Sequence, residues 1–104
     1  MSLDTLRANG LAKLLEELGE LSQVCAKKLA YYHTDEHPDG AGSLRERMQE
    51  EIADVAAAML FVELTFALDA DAIGRRVHHK FSLFQQWHAD DSNGADSFDA
   101  AGEK

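Results

Sequence analysis

Two short acidic patterns repeat within this sequence. Glu16-Glu17-Leu18-Gly19-Glu20-Leu21 and Glu50-Glu51-Ile52-Ala53-Asp54-Val55 share the order acid, acid, apolar, small, acid, apolar. On a helix, residues three apart lie about 60° from each other around the axis. Glu17 and Glu20 therefore share one flank beside an apolar face centred on Leu18, and Glu51 and Asp54 stand in the same relation to Ile52. Packing those two faces together would make the four carboxylates converge. Converging like charges repel unless a cation lies between them. Oxygen donors alone suit a hard divalent ion, and Mg²⁺ keeps part of its water shell and recruits substrate phosphate. The expected cofactor is Mg²⁺, for which Mn²⁺ can substitute, and the expected metal ligands are Glu17, Glu20, Glu51 and Asp54. A single Glu-x-x-Glu is ordinarily a solvated helix face; two at matched phase on neighbouring helices favour a shared site over that reading.

Two further acids and two cations complete the candidate set. Glu16 and Glu50 each precede a metal-ligand candidate and lie about 40° around the helix from Glu20 and Asp54 respectively, a position from which either could orient water as a general base. Lys80 lies at the edge of a later apolar stripe with Arg76 one turn earlier, so both could reach a phosphate.

The elements that must position these groups are helices. Leu11, Leu14, Leu15, Leu18, Leu21, Cys25 and Leu29 recur at three- and four-residue intervals and define the first, with Asn9-Gly10 as a potential interruption. The stretch from His33 to Gly42 holds the only proline, Pro38, and reads as a loop. Ser43-Leu44-Arg45-Glu46 has the capping-box pattern and opens a second helix to about Leu68, apolar on nearly every side from Val55 onward. Asp69 or Asp71 can cap a third, whose stripe is Ile73, Val77, Phe81, Phe84 and Trp87. A short connection makes the first two helices antiparallel neighbours. The expected fold is all-α, an antiparallel bundle of three to four helices per subunit over residues 1–88, followed by an acidic, disordered tail over 89–104. The surplus of apolar surface calls for a homodimer or homotetramer to complete the core.

The chain resembles the MazG-like all-α nucleoside triphosphate pyrophosphohydrolases. The likeness is carried by Glu17-Leu18-Gly19-Glu20, a thirty-residue spacer and Glu51-Ile52-Ala53-Asp54, and by the order long helix, loop, long helix, third helix bearing a lysine. It covers about Leu11 to Trp87. The resemblance implies Mg²⁺-dependent hydrolysis of ribo- or deoxynucleoside triphosphates to the monophosphate and pyrophosphate, a house-cleaning reaction on the nucleotide pool. It also implies that the four matched acids hold the metal and that Lys80 is the lysine of the third helix. Relatives often carry asparagine one turn beyond that lysine, where this chain has Phe84.

Composition narrows the alternatives. With 104 residues there is room for one core, and ten Lys+Arg against nineteen Asp+Glu give a formal charge of −9, which opposes binding to a nucleic-acid polymer. The single cysteine, Cys25, cannot form an internal disulfide and reads as packing on the first helix's apolar face. The first ten residues lack the apolar core of a signal peptide and the longest apolar run is broken by Asp54 and Glu63, so no membrane span and a cytoplasmic location are expected. Asp35, Asp39, Gly40 and Glu46 match positions of an EF-hand calcium loop, which His37, Pro38 and Gly42 contradict. Tyr31, Tyr32, Phe61 and Trp87 could each stack on a base, though aromatic residues at helical spacing are usually core. The principal competitor is a catalytically silent helical oligomerisation or regulatory protein on the same scaffold.

Overall fold

A computed structural model describes residues 1–91. Among them are three helices and no strand: α1 (Leu3–Ala30), α2 (Leu44–Thr65) and α3 (Ala70–Asp91). The chain forms two compact units, one of Met1–Leu68 containing α1 and α2, the other beginning at Asp69 and containing α3. No helix of the described residues is long and apolar enough to cross a membrane. Helix α3 continues three residues past His88, where the apolar stripe stops, and the rest of the expected tail, 92–104, lies outside the described residues.

Local chemistry sets the start of each helix and the end of α2. Ser2 caps α1, its hydroxyl accepting the Thr5 N–H at 3.1 Å, while Asp4 in the first turn and Lys27 and Lys28 in the last complement the helix dipole. Ser43 caps α2, accepting the Glu46 N–H at 3.4 Å, the hydroxyl half of the capping-box pattern. The second helix ends at Thr65, three residues earlier than expected. Ala67 there adopts a left-handed φ of 54°, the Leu68 N–H reaches the Glu63 carbonyl at 2.9 Å, and the Ala67 N–H reaches that of Leu64 at 3.3 Å. These are the two reversed bonds of a Schellman stop, made with alanine at the position glycine usually takes. Asp69 is the cap of α3, accepting the Ala72 N–H at 3.1 Å.

The loop between α1 and α2 is closed by charge. Asp39 accepts hydrogen bonds from Lys27 at 2.9 Å and from the two terminal guanidinium nitrogens of Arg47 at 3.1 and 3.2 Å, and Asp35 accepts one from Lys28 at 2.9 Å. The lysines of α1, the loop acids and Arg47 of α2 thus form one set of ion pairs. Asp35 and Asp39, the acids of the calcium-loop reading, are each paired with cations of the chain itself.

The α1–α2 contact is a seam with alternating four- and three-residue spacing. On α1 it is Arg7, Gly10, Leu14, Glu17, Leu21, Val24 and Lys28; on α2 it is Leu44, Met48, Glu51, Val55, Ala58, Val62 and Thr65, and all of these are buried or half-buried. That is the spacing of a coiled-coil seam. Two contacts fix its antiparallel register: Arg7 Nε donates to the Thr65 carbonyl at 2.8 Å, and a Cβ on Gly10 would lie 3.6 Å from Val62 Cγ2. Continuing that register sets Leu14 against Ala58, Glu17 against Val55, Leu21 against Glu51 and Val24 against Met48.

This arrangement corrects the phase expected from sequence. Leu18 and Ile52 are 44% and 58% exposed, whereas Glu17 is 9% exposed and sits in the seam. Cys25 follows Leu18 and is exposed, so it does not pack in the core. The physical reason lies in the width of the apolar arc on α1. Its leucines form two adjacent stripes, and spacing alone does not choose between them. Gly10 helps to choose. It does not interrupt the helix but is buried in it, and a Cβ there would meet the Phe61 ring at 2.8 Å, so only glycine permits this approach.

Candidate metal centre

Seam geometry brings three of the four proposed metal ligands together. One carboxylate oxygen each from Glu17, Glu51 and Asp54 lies within 4.8 Å of the others. Glu17 is buried, Glu51 half-buried and Asp54 exposed, so the group faces outward on one side only. Glu17 and Glu51 occupy equivalent seam positions on their helices, and Glu20 and Asp54 follow each by three residues.

Two features of the group are unusual for a helical seam. Glu17 Oε1 and Glu51 Oε1 are both buried without a hydrogen-bond partner. Buried polar atoms are ordinarily paired, and an orphan acceptor costs the interaction it had with water. The Glu51 carboxyl is also held above the ordinary carboxylate range, first because it is withdrawn from water and then through the charges of Glu20, Asp54 and Glu17. The Glu20 carboxylate, which raises the Glu51 pKa as a nearby like charge, adjoins the group. An all-oxygen donor set with two orphan oxygens and mutual repulsion fits a hard divalent cation.

The remaining candidates divide. Glu16 lies on the exposed flank, where its Oε1 accepts a hydrogen bond from Lys13 Nζ at 3.1 Å; the same ammonium is 3.6 Å from Glu17 Oε2. These two carboxylates raise the Lys13 pKa, the Glu16 hydrogen bond contributing most. Glu50 is exposed on α2. Arg76 and Lys80 belong to α3 in the second unit, where Lys80 Nζ stands 5.6 Å from the Phe84 ring centroid and 5.9 Å from that of Trp87. The structure therefore groups Glu17, Glu51 and Asp54, with Glu20 adjoining.

A cavity of about 520 Å³ opens beside the acids, lined by Asn9, Gly10, Lys13, Glu17, Asp54, Ala57, Ala58 and Phe61. Asn9, Lys13 and the small residues were not among the site candidates. Lys13 was legible, since it precedes Glu17 by one helical turn. Asn9 and Phe61 meet only through the register of two helices, which no local pattern records.

No protein-family model, curated protein or solved structure matches this chain.

Proposed function

We propose that this protein is a Mg²⁺-dependent nucleoside triphosphate pyrophosphohydrolase of the MazG-like kind. The observation that supports this reading most directly is the convergence of Glu17, Glu51 and Asp54 within 4.8 Å, with orphan oxygens on the first two. Hydrolysis adds water across the anhydride between the α and β phosphorus atoms and gives a monophosphate and pyrophosphate. The protein's task is position and charge compensation.

Glu17, Glu51 and Asp54 hold the cation, and Glu20 completes the donor set. Bound by these residues, a cation would neutralise charge on the phosphoryl oxygens and lower the pKa of an attacking water. Glu16 or Glu50 orients that water and takes its proton. Lys13, which lines the cavity beside the acids, meets the triphosphate from α1; Arg76 and Lys80 are substrate-binding residues on the family likeness alone. Leu11, Leu15, Leu18, Ile52 and Met59 are exposed on the first unit, and burying them between subunits makes the protein a homodimer or homotetramer.

The test is incubation of the purified protein with a panel of ribo- and deoxynucleoside triphosphates and Mg²⁺, read by pyrophosphate release. Turnover that requires Mg²⁺ and disappears in Glu51→Gln and Asp54→Asn, with helical circular dichroism retained, supports the reading. Mg²⁺-dependent thermal stabilisation without turnover of any triphosphate would point instead to the silent regulatory protein.

A further inference from the structure

We infer that the cavity between the acids and Phe61 seats the nucleobase of the substrate, with the base on the Phe61 ring and its polar edge at the Asn9 amide. This rests on the triphosphate reading and adds a residue-level account of how the nucleoside half is held.

The cavity shares Glu17 and Asp54 with the acidic group and is lined farther on by Phe61, Ala57, Ala58 and Gly10. One end therefore offers charge to a phosphate-bound cation, and the other offers an aromatic face among small residues. Phe61 is 42% exposed although it is a phenylalanine on the helix that builds the core. A half-exposed aromatic ring in a cavity can stack on a planar heterocycle, an interaction open to any base. Gly10 sets where that ring lies. A Cβ at residue 10 would come 2.8 Å from Phe61 Cδ2 and 3.0 Å from Cε2, so the wall of the cavity and the helix contact depend on the same missing side chain.

Asn9 is the only neutral side chain in the lining with both a hydrogen-bond donor and an acceptor. The pattern it reads is one donor beside one acceptor, which its amide can present in either order by flipping. The geometry thus selects for a planar base of appropriate edge and tolerates several bases, and it distinguishes a nucleotide from a polyphosphate lacking a base.

The experiment compares wild type with Asn9→Ala, Phe61→Leu and Gly10→Ala, each checked for helical content, on nucleoside triphosphates and on inorganic tripolyphosphate. Tripolyphosphate is used as substrate or, where it is not turned over, as competitor. The expected result is a KM for nucleoside triphosphates raised about tenfold by Phe61→Leu and by Gly10→Ala, and severalfold by Asn9→Ala. The constant for tripolyphosphate should stay unchanged in Asn9→Ala and Phe61→Leu, which leave the helix contact at Gly10 as it is. Equal effects on both ligands in those two variants, or no effect on either, would overturn the base pocket while leaving the metal site standing. Absence of any turnover by the wild type would overturn the hydrolase reading, and the pocket with it.

Discussion

Replacing Glu17 by leucine probes the metal centre through stability, independently of catalysis. Glu17 is 9% exposed, its Oε1 is buried without a partner, and its place in the seam faces Val55. Removing an orphan buried acceptor recovers about 1–3 kcal/mol, and leucine, of similar volume, restores an apolar residue to an apolar position. The Lys13 contact is lost as well, but at 3.6 Å with an exposed ammonium it contributes little. We therefore expect the metal-free variant to be more stable than wild type by about 2 kcal/mol, which at 4–8 °C per kcal/mol for a domain near this size is roughly 10 °C in Tm. Saturating Mg²⁺ should reverse the advantage. A ligand at a hundred times its Kd stabilises the native state by about 2.7 kcal/mol, and Glu17→Leu forfeits most of that by losing a donor. The assay is thermal denaturation followed by circular dichroism, in chelator and in Mg²⁺. A variant less stable than wild type in chelator, or one that keeps the full Mg²⁺ shift, would refute the argument that the seam acids are held in place for a cation.

Other outcomes follow from the same structure. In chelator, stability should fall as pH rises above 4.5 through the raised Glu51 value, because within that window the native state binds more protons than the unfolded state; denaturant titrations across pH will show the slope, and Mg²⁺ should flatten it. The lowered Asp39 pKa acts oppositely: its ion pairs with Lys27 and Arg47 stabilise the fold above the unfolded value of 3.8 and are lost as pH falls through the acid range below it. Asp39→Asn should accordingly lessen the acid sensitivity of unfolding. Ala67→Gly should stabilise the protein by about 0.5–1 kcal/mol in urea denaturation, since glycine takes the left-handed stop of α2 without the alanine's strain. Leu15→Glu with Leu18→Glu should shift the sedimentation coefficient toward the monomer, because both leucines belong to the face that the proposed oligomer buries.

The sequence made the helices legible because their boundaries are local chemistry. Ser43 and Asp69 cap where their hydroxyl and carboxylate allow, and Gly40 and Gly42, at φ of 68° and 105°, mark a loop by their conformation. The association of Glu17, Glu51 and Asp54 was also legible, since the repeated acidic pattern set matching angles on two antiparallel helices. Rotation about the helix axis was not. With leucines on both sides of Glu17, a face centred on Leu18 and one centred on Glu17 satisfy the same spacing, and the misplacement of Cys25 follows from that ambiguity. Deciding required Gly10 against Phe61 and Arg7 against Thr65, contacts between residues far apart in the chain. Gly10 shows the difficulty most plainly: read locally it is a helix breaker, and read with its partner it is where the Phe61 ring comes against the backbone of α1. The end of α2 shifted because Ala67 makes a stop normally signalled by glycine.

The seam has a consequence for how the chain chooses among its own conformations. On α1 the stripe turned toward α2 contains Glu17, while Leu11, Leu15 and Leu18, displaced from it by one residue or about 100° of rotation, remain outside. Rolling the helix through that angle would exchange an acid for leucines at the contact, so the native pairing competes with an alternative that hydrophobicity alone would favour. Such a conflict between local preference and global arrangement is frustration. The bond from Arg7 to the Thr65 carbonyl and the glycine contact with Phe61 oppose the roll at one end of the hairpin, and the loop ion pairs around Asp39 oppose it at the other. In the middle, where the acids lie, the described residues supply no such bond or close contact between α1 and α2. A divalent ion would provide one, acting as the arbiter between two ways of docking the same helix, and amide hydrogen exchange along residues 14–21 should slow when the ion is added.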